Sequence, residues 1–421
     1  MVIEPLRGWH PNPSRFDPSE LISPVYDTIG PEEHRALDAR PFNAAQFTSR
    51  RSDMPVNRFT ALAVRKLNAA LHAQAYVRDP TPAFYVYSIE YRPEPDILET
   101  IPVEDRRPAY LLIGLVGALS LEHPEDIALH ERTFPDRVEE RIRLERATGM
   151  HNAPIVAGYR MENHTVNDLL ENHLGLDRRR LKFDADRPPL VEAKLHGSTH
   201  RLWALTDPRL ISRLRSLFRR KRVMILDGHH RFTAARQMAT DGERVYPLTM
   251  LVEAHDRALL LLPWHRVVAR KQRPFAALQK AALRHFPDVE PLEPDLSLPA
   301  YLEVLRGVRN QGRQGFLAVG RSSAWLARGG PLRNEGEDFQ LLHRFLEGEL
   351  RLEAGKFSFV RSPGEALEEA RESDGTAFLL PPIAIEGVER EAFAHRFMAQ
   401  KSTMFLPKVA EGLIFSHLKD P

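Results

Sequence analysis

Four apolar residues, Val223 to Leu226, run directly into Asp227-Gly-His-His-Arg231 and then into Phe232-Thr-Ala-Ala-Arg-Gln-Met238. That order predicts a buried strand, a tight turn and the start of a helix, with Asp227 to His230 at the corner. Gly228 lets the backbone turn sharply, and the first N–H groups of a helix have no acceptors within it. Those donors, the positive end of the helix dipole and Arg231 together make a cradle for a phosphate. His229 and His230 add imidazoles that donate hydrogen bonds or move protons near neutral pH. A plainer reading, an Asp-Gly turn whose histidines cap a helix, stays open.

Composition narrows the chemistry. The chain has 421 residues, 43% apolar and 28% charged, which describes a globular protein of two or three domains. Its 59 basic and 57 acidic residues leave a net charge of +2, so no nucleic-acid partner is expected, because that would need basic residues gathered on one face. With no cysteine, catalysis falls to oxygen and nitrogen groups. The sequence from Met1 to Trp9 carries no signal-like apolar run, and no stretch reaches the ~18–20 apolar residues of a membrane span. We therefore expect a cytoplasmic protein without a membrane partner.

Helical spacing of Phe59, Leu62, Ala63, Leu67 and Leu71 predicts one amphipathic helix in a turn-rich opening segment. Strands are expected at 83–91, 110–121, 154–159, 248–253 and 259–262, and a charged helix over 137–150. The stretch 161–200 reads as a mixed insert of helix and polar loop. Beyond residue 272 a helix opens at Pro274, a proline-dotted linker runs from Pro287 to Pro299, and strands at 316–319 and 376–380 alternate with helices at 339–350 and 363–372. The expected division is an N-terminal extension packed on the core (1–106), a core (107–271) and a C-terminal α/β domain (272–421), α+β overall.

Several residues fit the phosphate cradle. Glu131, beside His130 at a strand end, has the chemistry of a general base that takes a proton from an attacking hydroxyl. A solvated carboxylate paired with Arg132 is the alternative. Arg141, on the charged helix, has the planar fork that suits phosphate oxygens. Asp227 is the candidate for holding Mg²⁺ alongside a nucleotide, and an Asx-turn needs the same residue. Lys401-Ser-Thr-Met-Phe-Leu-Pro-Lys408 joins two lysines and two hydroxyls in a proline-bounded turn that could bind an anion.

Six separated motifs then agree with one family. Ser23-Pro-Val-Tyr-Asp27, His130-Glu-Arg-Thr133, Arg146-Ala-Thr148 with Asn152 and Pro154-Ile155, Asp227-Gly-His-His-Arg-Phe232, Pro263-Trp-His-Arg266 and Gln400-Lys-Ser-Thr403 occur in that order. The chain resembles the domain-of-unknown-function family 1015. Its part from 107 to 270 resembles the ParB/sulfiredoxin fold, and its Asp-Gly-His-His-Arg form is similar to free-serine kinases. The resemblance implies a phosphotransferase working between a nucleotide (ADP, ATP or CTP) with Mg²⁺ and a small hydroxyl compound, free serine or phosphoserine first. Glu131, Asp227 and His230 would be catalytic, with Gly228, His229, His230, Arg231 and Arg141 on the phosphates. His130, Thr133, Asn152, Lys401, Ser402 and Thr403 would contact substrate. A nucleotide sensor without catalysis and a phosphate-ester hydrolase remain alternatives, as does a homodimer.

Overall fold

The computed structural model describes residues 1–421 except 179, 220, 354 and 400, so Gln400 of the last motif lies outside the described residues. Two sheets carry a mixed α+β architecture. The larger runs in the order Ile127–Ala128, Val223–Asp227, Ile155–Tyr159, Leu248–Glu253, Tyr110–Leu119, Phe84–Tyr91, Ser198–Leu205, Val191–Leu195, with Ile3–Glu4 added on Tyr110–Leu119. Val223–Asp227 pairs parallel with Ile127–Ala128, and Leu248–Glu253 parallel with Ile155–Tyr159; the other pairs are antiparallel. Phe84–Tyr91 and Tyr110–Leu119 are almost wholly buried apolar sequence, as strands covered on both faces must be.

One face of this sheet is closed by the helices Thr165–Leu174 and Pro208–Phe218 through Leu170, Leu174, Leu214 and Phe218. Near its edge, the helices Pro135–Thr148 and His229–Thr240 pack together through Val138, Ile142, Ala234, Ala235 and Met238. A second, all-antiparallel sheet runs Asp288–Leu292, Ala324–Pro331, Arg313–Val319, Thr376–Leu379, His265–Val268, Ser358–Val360. A single apolar cluster spans both units, from Tyr85 and Met250 to Phe316 and Trp325.

Sheet pairing crosses both expected boundaries. Phe84–Tyr91, placed in the extension, is a central strand of the large sheet, and His265–Val268, placed in the core, belongs to the small one. The segment after Thr403 returns to the first unit. Thr403–Leu406 pairs with Leu260–Pro263, Glu411 bridges Ser23, Phe415 bridges Trp9, and Ser416–His417 pairs with Met150–His151. Local periodicity carries no signal for pairings this distant, which is why the expected boundaries differ from the structure.

Three local expectations also change. The stretch 161–200 contains Val191–Leu195 and the start of Ser198–Leu205, a hairpin turning at His196 and Gly197, both with positive φ. The expected linker holds the strand Asp288–Leu292, where Pro291 is tolerated because the strand lies at a sheet edge. The expected turn between Lys401 and Lys408 contains the strand Thr403–Leu406. Among the described residues, no helix is long and apolar enough to cross a membrane.

Candidate functional site

Val223–Asp227 is buried along its length and ends at Gly228, whose φ of 86° is the left-handed conformation glycine adopts without strain. The helix His229–Thr240 begins at once, with no side chain capping it, and Phe232 is the first of its residues to donate back, to the Gly228 carbonyl (2.9 Å). The amides of His229, His230 and Arg231 thus have no acceptor among the described residues. Arg231 is 6% exposed, yet its Nε, Nη1 and Nη2 have no hydrogen-bond partner. Most buried polar groups are paired, so a buried guanidinium with all three nitrogens unpartnered is able to take an anion.

These groups wall a hollow of about 120 Å³ together with Val25, Tyr26, Asp27, Glu131, Lys401 and Thr403. Asp227 does not offer a free oxygen to it. Oδ1 accepts from the Gly228 amide (2.6 Å) and Oδ2 from Lys408 Nζ (2.6 Å). Burial works to raise the Asp227 pKa, but Lys408 and Arg231 outweigh it and hold the carboxyl well below its usual range. The Asp227 carboxylate anchors Lys408 and the turn, so the expected hold on Mg²⁺ through water would be shared with these two partners. No group of three or more metal-ligating side chains occurs among the described residues.

Glu131 is held from the far end of the sequence. Its Oε1 accepts from Thr403 Oγ1 (2.8 Å), the Thr403 amide (3.2 Å) and the Ser402 amide (3.3 Å). Thr403 Oγ1, donating to Glu131, accepts in turn from His130 Nε2 (2.8 Å), which leaves His130 Nδ1 to accept from His229 Nε2 (3.3 Å). Burial lowers the pKa of both histidines, so this chain runs through neutral rings. His230, also lowered by burial, stacks on Phe134 and accepts the Phe134 amide at Nε2 (3.1 Å), leaving Nδ1–H as its donor.

The clasp on Glu131 is itself clamped. Lys401 has a φ of 56°, and Arg266 Nη2 donates to its carbonyl (3.0 Å) while Trp264 Nε1 donates to that of Thr403 (3.1 Å). Lys401 Nζ lies 4.7 Å from the centre of the Trp264 ring and 3.8 Å from Asp27. Arg266 is fully buried, and its other bonds go to the carbonyls of Trp264 (2.8 Å) and His265 (3.3 Å) and to His343 Nε2 (3.0 Å). Burial lowers its pKa to about 9, against the opposing charge of Glu131.

Of the residues expected from sequence, Glu131, Asp227, Gly228, His229, His230, Arg231, Lys401 and Thr403 share the hollow. His130 and Ser402 stand behind it as supports. Arg141, Thr133 and Asn152 are not in its walls. Arg141 is buried against the Tyr26 ring (4.3 Å) and donates to the Thr48 carbonyl (3.0 Å), so it props up Tyr26. Thr133 lies in the loop before Pro135–Thr148, and Asn152 is buried beside Ile155–Tyr159. Sequence reasoning gave no role to Trp264, Arg266 or Glu411, whereas Lys408, expected as one of two lysines of an anion-binding turn, lines the hollow. Glu411 is buried, pushed up in pKa by that burial, and close enough to Arg231 to feel its charge. The Pro-Trp-His-Arg motif was the available signal for the first two.

Among solved structures, the chain is similar to a free serine kinase in complex with AMP (13% identity, TM-score 0.37, covering 70% of this chain and 87% of that one). It is also similar to C-terminally truncated SbnI from Staphylococcus aureus (12%, 0.37, 70% and 85%) and to a conserved hypothetical protein from Pyrococcus furiosus (13%, 0.36, 71% and 93%). No curated protein matches the chain. A family model does match, over residues 3–328, and with most of its length inside that match the chain belongs to the family described as "Protein of unknown function (DUF1015)".

Proposed function

We propose that the hollow at Arg231 binds a phosphate and that the protein transfers a phosphoryl group between a nucleotide and a small hydroxyl compound, with free serine as the first acceptor to test. The observation that carries this reading is the Arg231 guanidinium, buried without a partner beside three unpartnered amides at the start of a twelve-residue helix. A hollow of about 120 Å³ takes a phosphoryl group and a serine-sized acceptor but not a whole nucleotide. A neighbouring hollow of about 560 Å³ shares Tyr26 and Asp27 with it and is lined by Arg50, Arg51 and Arg137, which suits the rest of the nucleotide. The ParB/sulfiredoxin-like character of the region 107–271 is part of the same reading.

In this mechanism Arg231 and the amides of His229 to Arg231 hold the phosphoryl oxygens and absorb the charge that spreads over them. Lys408, fixed by Asp227, adds a cation at the same wall. Glu131 takes the proton of the acceptor hydroxyl at Oε2, since Oε1 is filled by the Ser402 and Thr403 donors. His230 donates through Nδ1–H to a phosphoryl oxygen or to the acceptor. Mg²⁺, where a nucleotide brings it, would supply charge neutralisation at the phosphates.

The test is to incubate purified protein with Mg²⁺, serine and ADP, ATP or CTP in turn and to follow phosphorus NMR. Phosphoserine that forms with the wild type and is lost by a factor of about 10²–10⁴ in Glu131→Gln supports the reading. Inorganic phosphate released from phosphoserine alone, or nucleotide that binds and is left unchanged, overturns the kinase assignment.

A further inference from the structure

The two units meet around a second cavity, of about 320 Å³, which shares no wall residue with the hollow at Arg231. Its wall is mostly apolar, with Leu260, Leu262, Leu302, Leu380, Ile383 and Phe405 among its residues. An apolar cavity of about 150 Å³ holds one benzene ring, so roughly twice that volume holds about ten to fifteen non-hydrogen atoms.

One wall residue turns this void into a specific site. His265 is 1% exposed, and its Nδ1 accepts from the Leu380 amide (3.2 Å), which fixes the proton on Nε2. Nε2–H has no partner among the described residues, and burial, which lowers the ring's pKa to about 3, keeps it neutral. The other polar side chains of the wall are committed. Arg306 donates to the carbonyls of Glu99 (3.0 Å) and Thr100 (3.3 Å), His255 lies between Glu386 and Glu389, and Asp256 accepts from Asn167 and Arg178.

We propose that this cavity binds a small molecule with an alkyl or aryl body and one carbonyl or carboxylate oxygen, which accepts from His265 Nε2–H. The hydrocarbon body matches the leucine and isoleucine wall, and the oxygen accepts from the one ring N–H of His265 that no described protein group engages. The assignment does not depend on what occupies the hollow at Arg231. Phe405 separates the two spaces, since it lines the cavity and its ring meets that of His130 edge-on at 5.9 Å between centroids.

The probes are 2-octanone, octanoate and octane, titrated into the full-length protein by ligand-observed NMR, with intermolecular NOEs locating the bound molecule. We expect saturable one-site binding of the ketone or the carboxylate, with NOEs to the methyl groups of Leu262 and Ile383. His265→Phe, which keeps the volume and removes the donor, should weaken it by about tenfold. Ile383→Trp, which fills the space, should abolish it, and Leu302→Phe provides the same reading should Ile383→Trp fail to fold. No saturable binding to the wild type, NOEs to residues elsewhere, or octane binding as tightly as the ketone overturns the proposal.

Discussion

Arg231 and Arg266 are two guanidinium groups buried to nearly the same depth and treated in opposite ways. Arg266 donates to the carbonyls of Trp264 and Lys401 and to His343, and the Phe359 ring covers it at 4.2 Å. Arg231 donates to nothing, although Asp227 and Glu411 are near enough to feel its charge. A buried cation that is fully bonded acts as a fastener, and here it fastens the segment that grips Glu131. A buried cation left unbonded stays ready for a ligand, at some cost to the folded state without one.

The largest expected effect tests the ligand side of that contrast. Arg231→Met should lower nucleotide affinity by about a hundredfold, the loss of charge-assisted bonds to phosphate, while the melting temperature stays within a few degrees. Calorimetric titration with ADP and ATP and a thermal scan of the same sample check it; unchanged affinity with a collapsed melting temperature would reverse the roles of the two arginines. Arg266→Met should do the opposite. Four acceptors, the His265 carbonyl among them, lose their donor, so urea unfolding should show a loss of about 3–5 kcal/mol, with a smaller change in nucleotide affinity.

A third prediction separates the two by pH. The pKa of His343 is lowered by burial and by the Arg266 charge, so it accepts from Arg266 as a neutral ring. Its folded pKa lies below the ordinary 6.5, so the unfolded chain binds the proton first, and stability should fall as pH drops below about 6.5. His200 and His265, each lowered by burial to about 3, add to the same slope down to that pH. Melting curves from pH 4 to pH 8 should show the decline, made shallower in His343→Gln; a flat profile would mean these rings are not buried neutral. The smallest effect sharpens the geometry at the turn. In Gly228→Ala a Cβ would sit at a φ of +86° and 3.1 Å from Arg231 Nε and Nη2, so a loss of about 1–2 kcal/mol and a few-fold weaker phosphate binding are expected.

What the sequence revealed follows the range of its signals. The corner from Val223 to Arg231 was legible because strand, glycine and helix start are all local features, and they lie where expected. The approach of Glu131 to that corner was suggested by a motif, and Glu131 and the turn line one hollow. The clasp by Ser402 and Thr403 joins residues 271 and 272 positions from Glu131, a separation no periodicity encodes. Arg141 looked like a phosphate ligand because arginine on a charged helix suits that role, but helix phase turned it inward under Tyr26. The hairpin at 191–205 was hidden because its outward positions alternate with few apolar ones, as an edge of a sheet allows.

The return of the segment after Thr403 to the first unit bears on synthesis at the ribosome. Glu131 leaves the exit tunnel long before Ser402 and Thr403, and the strand Leu260–Pro263 waits just as long for Thr403–Leu406. Nascent chains therefore lack the Ser402 and Thr403 donors to Glu131 until that late strand is released, and the activity proposed for the hollow would have to wait for it.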